Sequence, residues 1–527
     1  MVRGVVSKHW RSTLLGTALA VASLPAIAQT NGAAIPPEPA ADEPAPPSPG
    51  RLVAFTPRFQ IRELFTDNAL LTSTGRKADF LTTVSPGFNI RVQGARTRLD
   101  FDYSLDYDYY ARSTSLNGFR HNLAGTGNVE LLQRSIFVDV SAFAGQDRIS
   151  ANSGTSAVDR RLANNSSQAY SYSISPYWIA RYGPYATSNL RYRFAQYFSE
   201  SNTPTTVTAT NTLAPVSNTT LNDVSGSVNS GEYFGQLGWG VSGGYRSSRT
   251  GSGSRFSSWN GAVNGTYHIN RTYAALASIG YQNIDSGSGS QSTNGITWNV
   301  GLTYTPHERL SATIRYGRQY EQQSFSGDLS YQITPQTSLT ASYSESVTTQ
   351  QQLALEGLGF ITTDPNTGQL IDSRTGLPFI GRDPRFDQNN QVFIQRQYQA
   401  SFRALRGRNT YIINFFYTTR DTDITQDTAS NQSQRSYSGS VVYSRQISRA
   451  TDANASAAYT RSTTNGGGNN RTLRFDINVR YQMSRTLTAT AGYAFLDRDA
   501  QGQQLFANQS TGSFRENVLF VTLRKSF

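Results

Sequence analysis

The chain has 527 residues, no cysteine and a formal net charge of +12. The missing cysteines exclude a disulfide framework and thiol chemistry. The positive charge comes from arginines scattered along the chain rather than from a dense basic segment, and this argues against nucleic-acid binding.

Residues 1–28 have the plan of a secretory signal peptide. Basic residues precede an apolar run from Leu14 to Ile27, and Ala26-Ile27-Ala28 forms a small-residue cleavage site. Because the run is too short to span a bilayer comfortably, we expect cleavage near Ala28 rather than a retained signal anchor. The mature chain then begins at Gln29.

Residues 29–50 are predicted to be a periplasmic linker. Seven of them are prolines, and alanine and acidic residues fill most of the rest. Such a composition favours an extended chain and does not resemble a folded plug domain.

From Arg51 to Phe527 the dominant pattern is the amphipathic β-strand. Between Arg471 and Met483, apolar residues such as Phe475 and Ile477 alternate with polar ones, and a second alternating run follows after Ser484-Arg485. Side chains of a strand point alternately to its two faces, so this is a hairpin with one apolar and one polar face. No segment after Ile27 is apolar enough for a membrane helix, and without helices only a closed barrel spans a membrane.

A row of aspartates separates a barrel from a soluble sandwich. Asp100, Asp102, Asp106 and Asp108 occupy one face of a single strand. Unpaired carboxylates are costly in a packed core, whereas a water-filled lumen accepts them. The alternative is a sandwich with this face exposed to solvent.

Ten short turns, from Gly94 to Ser484-Arg485, alternate with longer connections rich in Gly, Ser, Asn and Thr. Short periplasmic turns and long extracellular loops are the asymmetry of outer-membrane barrels. With both ends of the chain in the periplasm, ten turns predict a transmembrane antiparallel up-and-down barrel of about 22 strands, within a range of 18–26.

Residues 353–390 form the longest insertion. A plain connector does not need this length, so we expect a small hairpin or lid, which acts as a constriction folded into the lumen or as a receptor surface. Its aspartates Asp364, Asp372, Asp383 and Asp387 have no EF-hand spacing, and a solvated loop is the simpler explanation than a calcium site. A barrel of this width needs filling or gating by its own loops, by a periplasmic partner or by a translocating polymer.

The polar face of the strands supplies the candidate lumen lining. It carries both signs of charge among many hydroxyl and amide groups, which suits a hydrated polysaccharide. The candidate lumen-lining residues are Asp100, Asp102, Asp106, Asp108, Arg191, Arg193, Arg474, Asp476 and Arg480.

Catalytic and cofactor motifs do not stand out. The four histidines, His9, His121, His268 and His307, are far apart in sequence, and no nucleophile, phosphate-loop, haem or metal-ligand spacing occurs. We therefore expect neither an enzyme nor a cofactor or metal site.

The last strand resembles the signal read by the barrel-assembly machinery of Gram-negative bacteria. Leu519, Val521 and Leu523 share one face with the terminal Phe527, while Lys525 departs from the usual apolar residue. The expected location is the outer membrane, with lipid and lipopolysaccharide as neighbours. Arginine forks match lipopolysaccharide phosphates, although GC-rich codon usage explains the many arginines equally well.

Several short motifs resemble the outer-membrane barrel proteins associated with the PEP-CTERM/exosortase system. They include Phe55-Thr-Pro-Arg58, Phe65-Thr-Asp-Asn68, Ser85-Pro-Gly87, Asp364-Pro-Asn-Thr-Gly368 and Val392-Phe-Ile-Gln-Arg-Gln397. The resemblance implies an envelope protein encoded with exopolysaccharide synthesis and a porin role in polymer export. It transfers no functional residue.

The first hypothesis is therefore a porin or channel for exopolysaccharide export. The alternatives are a barrel sheath around a periplasmic partner and a surface adhesin or receptor.

Overall fold

The computed structural model describes most of the chain from Val53 onward. The described residues are 53–148, 156–162, 166–200, 218–251, 253, 255–285, 293–357, 361–363, 370–372, 392–421, 433–464, 469–501 and 513–527. The predicted signal peptide and linker lie outside them, as do Asp364, Asp383 and Asp387 of the insertion.

Twenty-two of the described strands form one sheet, and two short strands pair separately. In chain order the elements are β1 (Val53–Thr66), β2 (Asp79–Gln93), β3 (Thr97–Tyr110), β4 (Gly118–Leu132), β5 (Ile136–Arg148), β6 (Ser166–Tyr182), β7 (Ala186–Glu200), β8 (Thr219–Ser230), β9 (Leu237–Thr250), β10 (Arg255–His268), β11 (Tyr273–Asp285), β12 (Thr293–His307), β13 (Leu310–Gln319), β14 (Gln322–Thr334), β15 (Thr337–Thr349), α1 (Gln350–Gly357), β16 (Ile361–Thr363), β17 (Leu370–Asp372), β18 (Val392–Arg406), β19 (Asn409–Asp421), β20 (Ser433–Gln446), β21 (Thr451–Thr464), β22 (Asn469–Gln482), β23 (Leu487–Gln501) and β24 (Phe514–Ser526).

The large sheet is a closed antiparallel barrel. Each strand pairs with its neighbours in the chain, and β24 pairs with β1, for example Leu523 with Ile61. The backbone amide of Phe527 also donates to the carbonyl oxygen of Pro57 at 2.9 Å. Closure leaves no unpaired edge, as a barrel in lipid requires. The predicted 22-stranded barrel is confirmed.

The predicted asymmetry of the connections is also confirmed. All ten predicted turns join consecutive strands at one end of the barrel, which we call the turn end. In two of them a glycine has a left-handed backbone, Gly183 with φ of 58° and Gly407 with φ of 59°, which a side chain would disfavour. The longer connections lie at the opposite end, which we call the loop end. One connection there is short, the two-residue turn Tyr320-Glu321 between β13 and β14.

The two faces of the barrel follow the alternation in the sequence. On β22 the outward Phe475 and Ile477 are 38% and 43% exposed, whereas the inward Asn478 and Arg480 are buried. Large apolar side chains are exposed around the outer surface in the same way, from Phe55 on β1 to Val521 on β24. An apolar exterior around a polar interior is the arrangement of a membrane-spanning barrel.

The insertion between β15 and β18 contains the only α-helix among the described residues. Helix α1 follows β15 directly, and β16 and β17 form a small antiparallel hairpin. Within the described part of the chain, no helix has the length and apolar character needed to cross a membrane.

Candidate functional site: the lumen and its constriction

The inner face of β3 carries the aspartate row, and arginines from neighbouring strands neutralise it. Asp102 forms an ion pair with Arg58 on β1. Asp100 forms one with Arg91 on β2, at 3.1 Å between Oδ2 and Nη2. Carboxylates in this row are therefore paired rather than simply hydrated.

Toward the loop end the row becomes buried. Asp108 is fully buried, and its Oδ2 lies 2.7 Å from Nε of Arg120, which is fully buried as well. Arg120 also contacts Asp106 at 3.3 Å and Asp159 at 2.6 Å. One arginine thus ties β3 and β4 to residues 156–162, an outer-loop segment that folds inward.

A second buried ion pair fixes the same segment. Nη2 of Arg160 lies 2.8 Å from Oε1 of Glu516 on β24, and both side chains are fully buried. Arg160 also donates to the Tyr110 hydroxyl at 3.1 Å, and Glu516 accepts from the hydroxyl of Ser156 and the amide of Ala157. Burial opposes the charge of Arg160, but Tyr110 and Glu516 outweigh it and raise its pKa. Arg160, Glu516 and their hydrogen-bond partners therefore hold segment 156–162 across part of the loop-end mouth of the barrel.

Helix α1 crosses from β15 to the wall formed by β6–β9. Its Leu355 is fully buried and completes a cluster of inward apolar side chains, which we call the apolar shelf. The shelf spans five adjacent strands, β4 to β8. Its members are Ala124, Phe143, Ala169, Ala195, Tyr197 and Leu221.

Polar contacts hold the helix against the same wall. Nη2 of Arg193 on β7 donates to the carbonyl oxygen of Leu355 at 2.6 Å. Arg246 on β9 lies 3.3 Å from Oε1 of Glu356, and the buried Gln352 donates to the Ser248 hydroxyl at 3.3 Å. These contacts join α1 to two neighbouring segments of wall, β7 and β9, so α1 has a defined docked position.

The charge of Glu356 is poorly solvated in this position. Burial raises the pKa of its carboxyl group, and Arg246 and Arg193 offset part of that effect. Arg246 is shared with Asp223, whose Oδ2 lies 2.9 Å from its Nε. Docking of α1 therefore includes a titratable contact.

The inner faces of β12–β15, which we call the neutral arc, have a different chemistry. They carry mainly hydroxyl and amide side chains, such as Thr297, Asn299, Ser324 and Ser342, and these are partly exposed in the lumen. Only Arg315 and Asp328 add charge there. In a ring of 22 strands, β1–β4 lie eleven strands away from β12–β15, so the charged and neutral walls face each other.

The remaining predicted lumen residues lie on the inner faces of β7 and β22. Arg191 lies 2.8 Å from Asp139, and Arg480 lies 2.8 Å from Asp452. Asp476 accepts a hydrogen bond from Ser456. Arg474 is next to Asp476 on the same face, and Arg193 contacts α1. The nine predicted residues are therefore divided among three parts of the wall instead of forming one site.

The predicted assembly residues face outward. Leu519, Val521, Leu523 and Phe527 are between 48% and 71% exposed on the outer face of the closing strand. Their side chains are accessible from outside the barrel.

The sequence predicted a lid or constriction in this insertion, but not helix α1 or the part of the wall where it docks. A signal for the docking was present: Phe143, Tyr197 and Leu221 are apolar residues on otherwise polar inner faces. Apolar side chains on a lumen wall need a cover, and Leu355 provides one.

Histidines and metal ligands contribute no site in the described residues. No three His, Asp or Glu side chains there converge on a point that would hold a metal ion. His121 faces outward and lies 2.9 Å from the Tyr103 hydroxyl.

No protein-family model matches the chain, and no curated protein matches its sequence. Solved structures of similar shape include the siderophore receptor PirA from Acinetobacter baumannii, with 9% identity, a TM-score of 0.48, and 90% of this chain and 80% of that chain covered. The ferric-catecholate import receptor Fiu from E. coli K12 has 11% identity and a TM-score of 0.46, with 89% and 81% covered. The ferric enterobactin receptor PfeA from Pseudomonas aeruginosa has 10% identity and a TM-score of 0.47, with 89% and 80% covered.

Proposed function

We propose that the chain is a channel of the Gram-negative outer membrane for a hydrated polysaccharide, with helix α1 as its gate. The exposed apolar side chains around the barrel support the membrane location. The docked helix α1 is the observation that carries the gating role, because it places a chain segment across a lumen that is otherwise wide.

The neutral arc supports the substrate class. Hydroxyl and amide groups exchange hydrogen bonds with sugars as readily as with water, so a polymer slides along them without a deep binding minimum. A charged polymer would have to pass the paired aspartates and arginines of the opposite wall. Export of an exopolysaccharide, as the motif resemblance implies, fits this division of the lumen.

An outer-membrane barrel also has to be recognised by the machinery that assembles it. The outward face of β24, with Phe527 at its end, is available to the assembly machinery before β24 pairs with β1. The native surroundings are outer-membrane lipid and lipopolysaccharide.

Polymer release from proteoliposomes tests the proposal. The full-length Leu355→Asp variant, in which the buried leucine of α1 becomes charged, is reconstituted into vesicles loaded with neutral dextran or with dextran sulfate of equal size. We expect faster release of the neutral polymer than of the charged one, and slow release from wild-type vesicles. Retention of both polymers by the variant would refute the polymer channel and favour a sheath around a partner or an adhesin.

A further inference from the structure

Four arginines on the outer surface form a patch at the loop end of β20–β24. Arg435, Arg461, Arg471 and Arg515 all lie on the outward face, and all four are exposed. The side chains of Arg471 and Arg515 are 54% and 63% exposed. These arginines line no part of the lumen, so the proposed channel does not use them.

Two of these arginines are direct cross-strand partners. Arg461 on β21 is paired in register with Arg471 on β22. Like charges directly opposite each other on a sheet are destabilising, unless an anion lies between them. Nε of Arg461 donates to Asn469, a neutral group.

The acidic residues nearby neutralise only part of the patch. Asp497 lies 2.8 Å from Arg515 and only 3.9 Å from Arg471. Asp499 accepts from the Ser513 hydroxyl. On β20–β24 these four arginines and two aspartates leave a net charge of +2. The connecting segments 465–468 and 502–512 contain no charged residue, whereas segment 422–432, which precedes β20, contains Asp423 and Asp427. The positive charge therefore centres on Arg461, Arg471 and Arg515.

An aromatic ladder fixes the height of the patch relative to the membrane. Outward rings on neighbouring strands contact one another in sequence, with centroid distances of 4.1 Å for Tyr343 and Tyr398, 5.7 Å for Tyr398 and Tyr417, and 4.7 Å for Tyr417 and Tyr437. Rings of this kind lie at the membrane–water interface. Tyr437 is the direct cross-strand partner of Arg461, so the arginines are level with that interface.

We propose that Arg435, Arg461 and Arg471, with Arg515 beside them, bind the phosphate groups of a diphosphorylated glycolipid of the outer leaflet, the lipid A part of lipopolysaccharide. Guanidinium groups bind phosphate through paired, charge-assisted hydrogen bonds. The apolar residues below, such as Leu473, then contact the acyl chains. This proposal rests on the proposed outer-membrane location. Phosphate binding by the purified protein is nevertheless testable independently of that location.

Native mass spectrometry of the purified full-length protein in detergent tests the site. The probe is diphosphorylated lipid A, compared with the same glycolipid without phosphates and with inorganic pyrophosphate. We expect the Arg461→Gln/Arg471→Gln variant to bind lipid A about tenfold more weakly, since it loses at least one charge-assisted contact. The control is Arg445→Gln, an outward arginine on β20 at the turn end, and it should leave binding unchanged.

The outcomes separate the possible ligands. Equal binding by the double variant and the wild type would overturn the proposal, as would equal binding of the glycolipid without phosphates. Displacement of lipid A by equimolar pyrophosphate would overturn the lipid assignment in favour of a free-phosphate site. Cell fractionation tests the membrane location separately, so failure of that location is distinguishable from failure of the site.

Discussion

The guanidinium of Arg193 on one wall of the barrel holds the carbonyl oxygen of Leu355, 162 residues later in the chain, at 2.6 Å. This contact joins the insertion to a strand eight positions around the ring from the one that it leaves. It converts a long connection into a constriction, and it explains why the inner wall carries apolar side chains at this place.

Removal of the Leu355 side chain should release the helix. Leu355→Ala removes most of a fully buried side chain. Such substitutions cost about 2–5 kcal/mol, and here the cost reduces the free energy that favours the docked helix. Protease cleavage after α1 should become faster while the barrel remains folded. The matched control is Leu353→Ala, because Leu353 is only partly buried in the same helix. Equal cleavage rates in both variants would contradict the docking.

Acidification should strengthen the docking of α1. Burial raises the pKa of Glu356 in the docked helix relative to its ordinary value of 4.5, although Arg246 and Arg193 oppose this shift and Asp223 supports it. A group whose pKa rises on docking favours the docked state at low pH, and that contribution is lost as the pH rises through the raised pKa. We expect channel openings to become rarer as the pH falls toward the ordinary pKa of glutamate.

Glu356→Gln is the test of that assignment. Glutamine has nearly the shape of a protonated glutamate and carries no charge. The helix of this variant should therefore stay docked, and openings should be rare at every pH. A variant that keeps the full pH dependence would contradict the assignment to Glu356.

The buried pair at the mouth should dominate the stability of the folded loop. Glu516→Gln leaves the buried Arg160 without its charged partner, and breaking such a pair costs about 3–5 kcal/mol. The temperature at which the purified barrel loses its folded electrophoretic mobility should fall. Arg445→Gln, which removes an exposed arginine of β20 at the turn end, is the control and should leave that temperature unchanged. A similar decrease for both variants would contradict the assignment.

Charge added to the neutral arc should change ion selectivity. Thr297 is a partly exposed inner side chain of β12. In the open channel Thr297→Asp should shift the reversal potential in a salt gradient toward cation selectivity, because a fixed charge attracts counter-ions within about a Debye length of roughly 10 Å. Thr297→Arg should shift it in the opposite direction. Shifts of the same sign would show that the arc does not line the ion path.

The barrel was predictable because its signal is local. The alternation around Phe475 gives the two faces of a strand, and the turn residues give the hairpins, so 22 strands followed from ten turns.

The interior was less predictable because it depends on contacts between distant segments. The aspartate row was explained by lumen water, but Asp108 is buried against Arg120, and residues 156–162 close over it. Pairing of this kind requires knowledge of which strands are neighbours and how loops fold inward. The position of Leu355 on the apolar shelf depends on the same information, and periodicity does not contain it.

Single-channel conductance in a planar bilayer tests the central claim, that α1 gates the lumen. The chain has no cysteine, so Ser248→Cys/Gln352→Cys places a unique pair of thiols at a contact between α1 and the wall. A short bifunctional thiol reagent should silence this variant, whereas Leu355→Asp should produce large openings that are absent from the wild type. Large, steady conductance in the crosslinked protein would contradict the account, because the pore would then be open while the helix is docked.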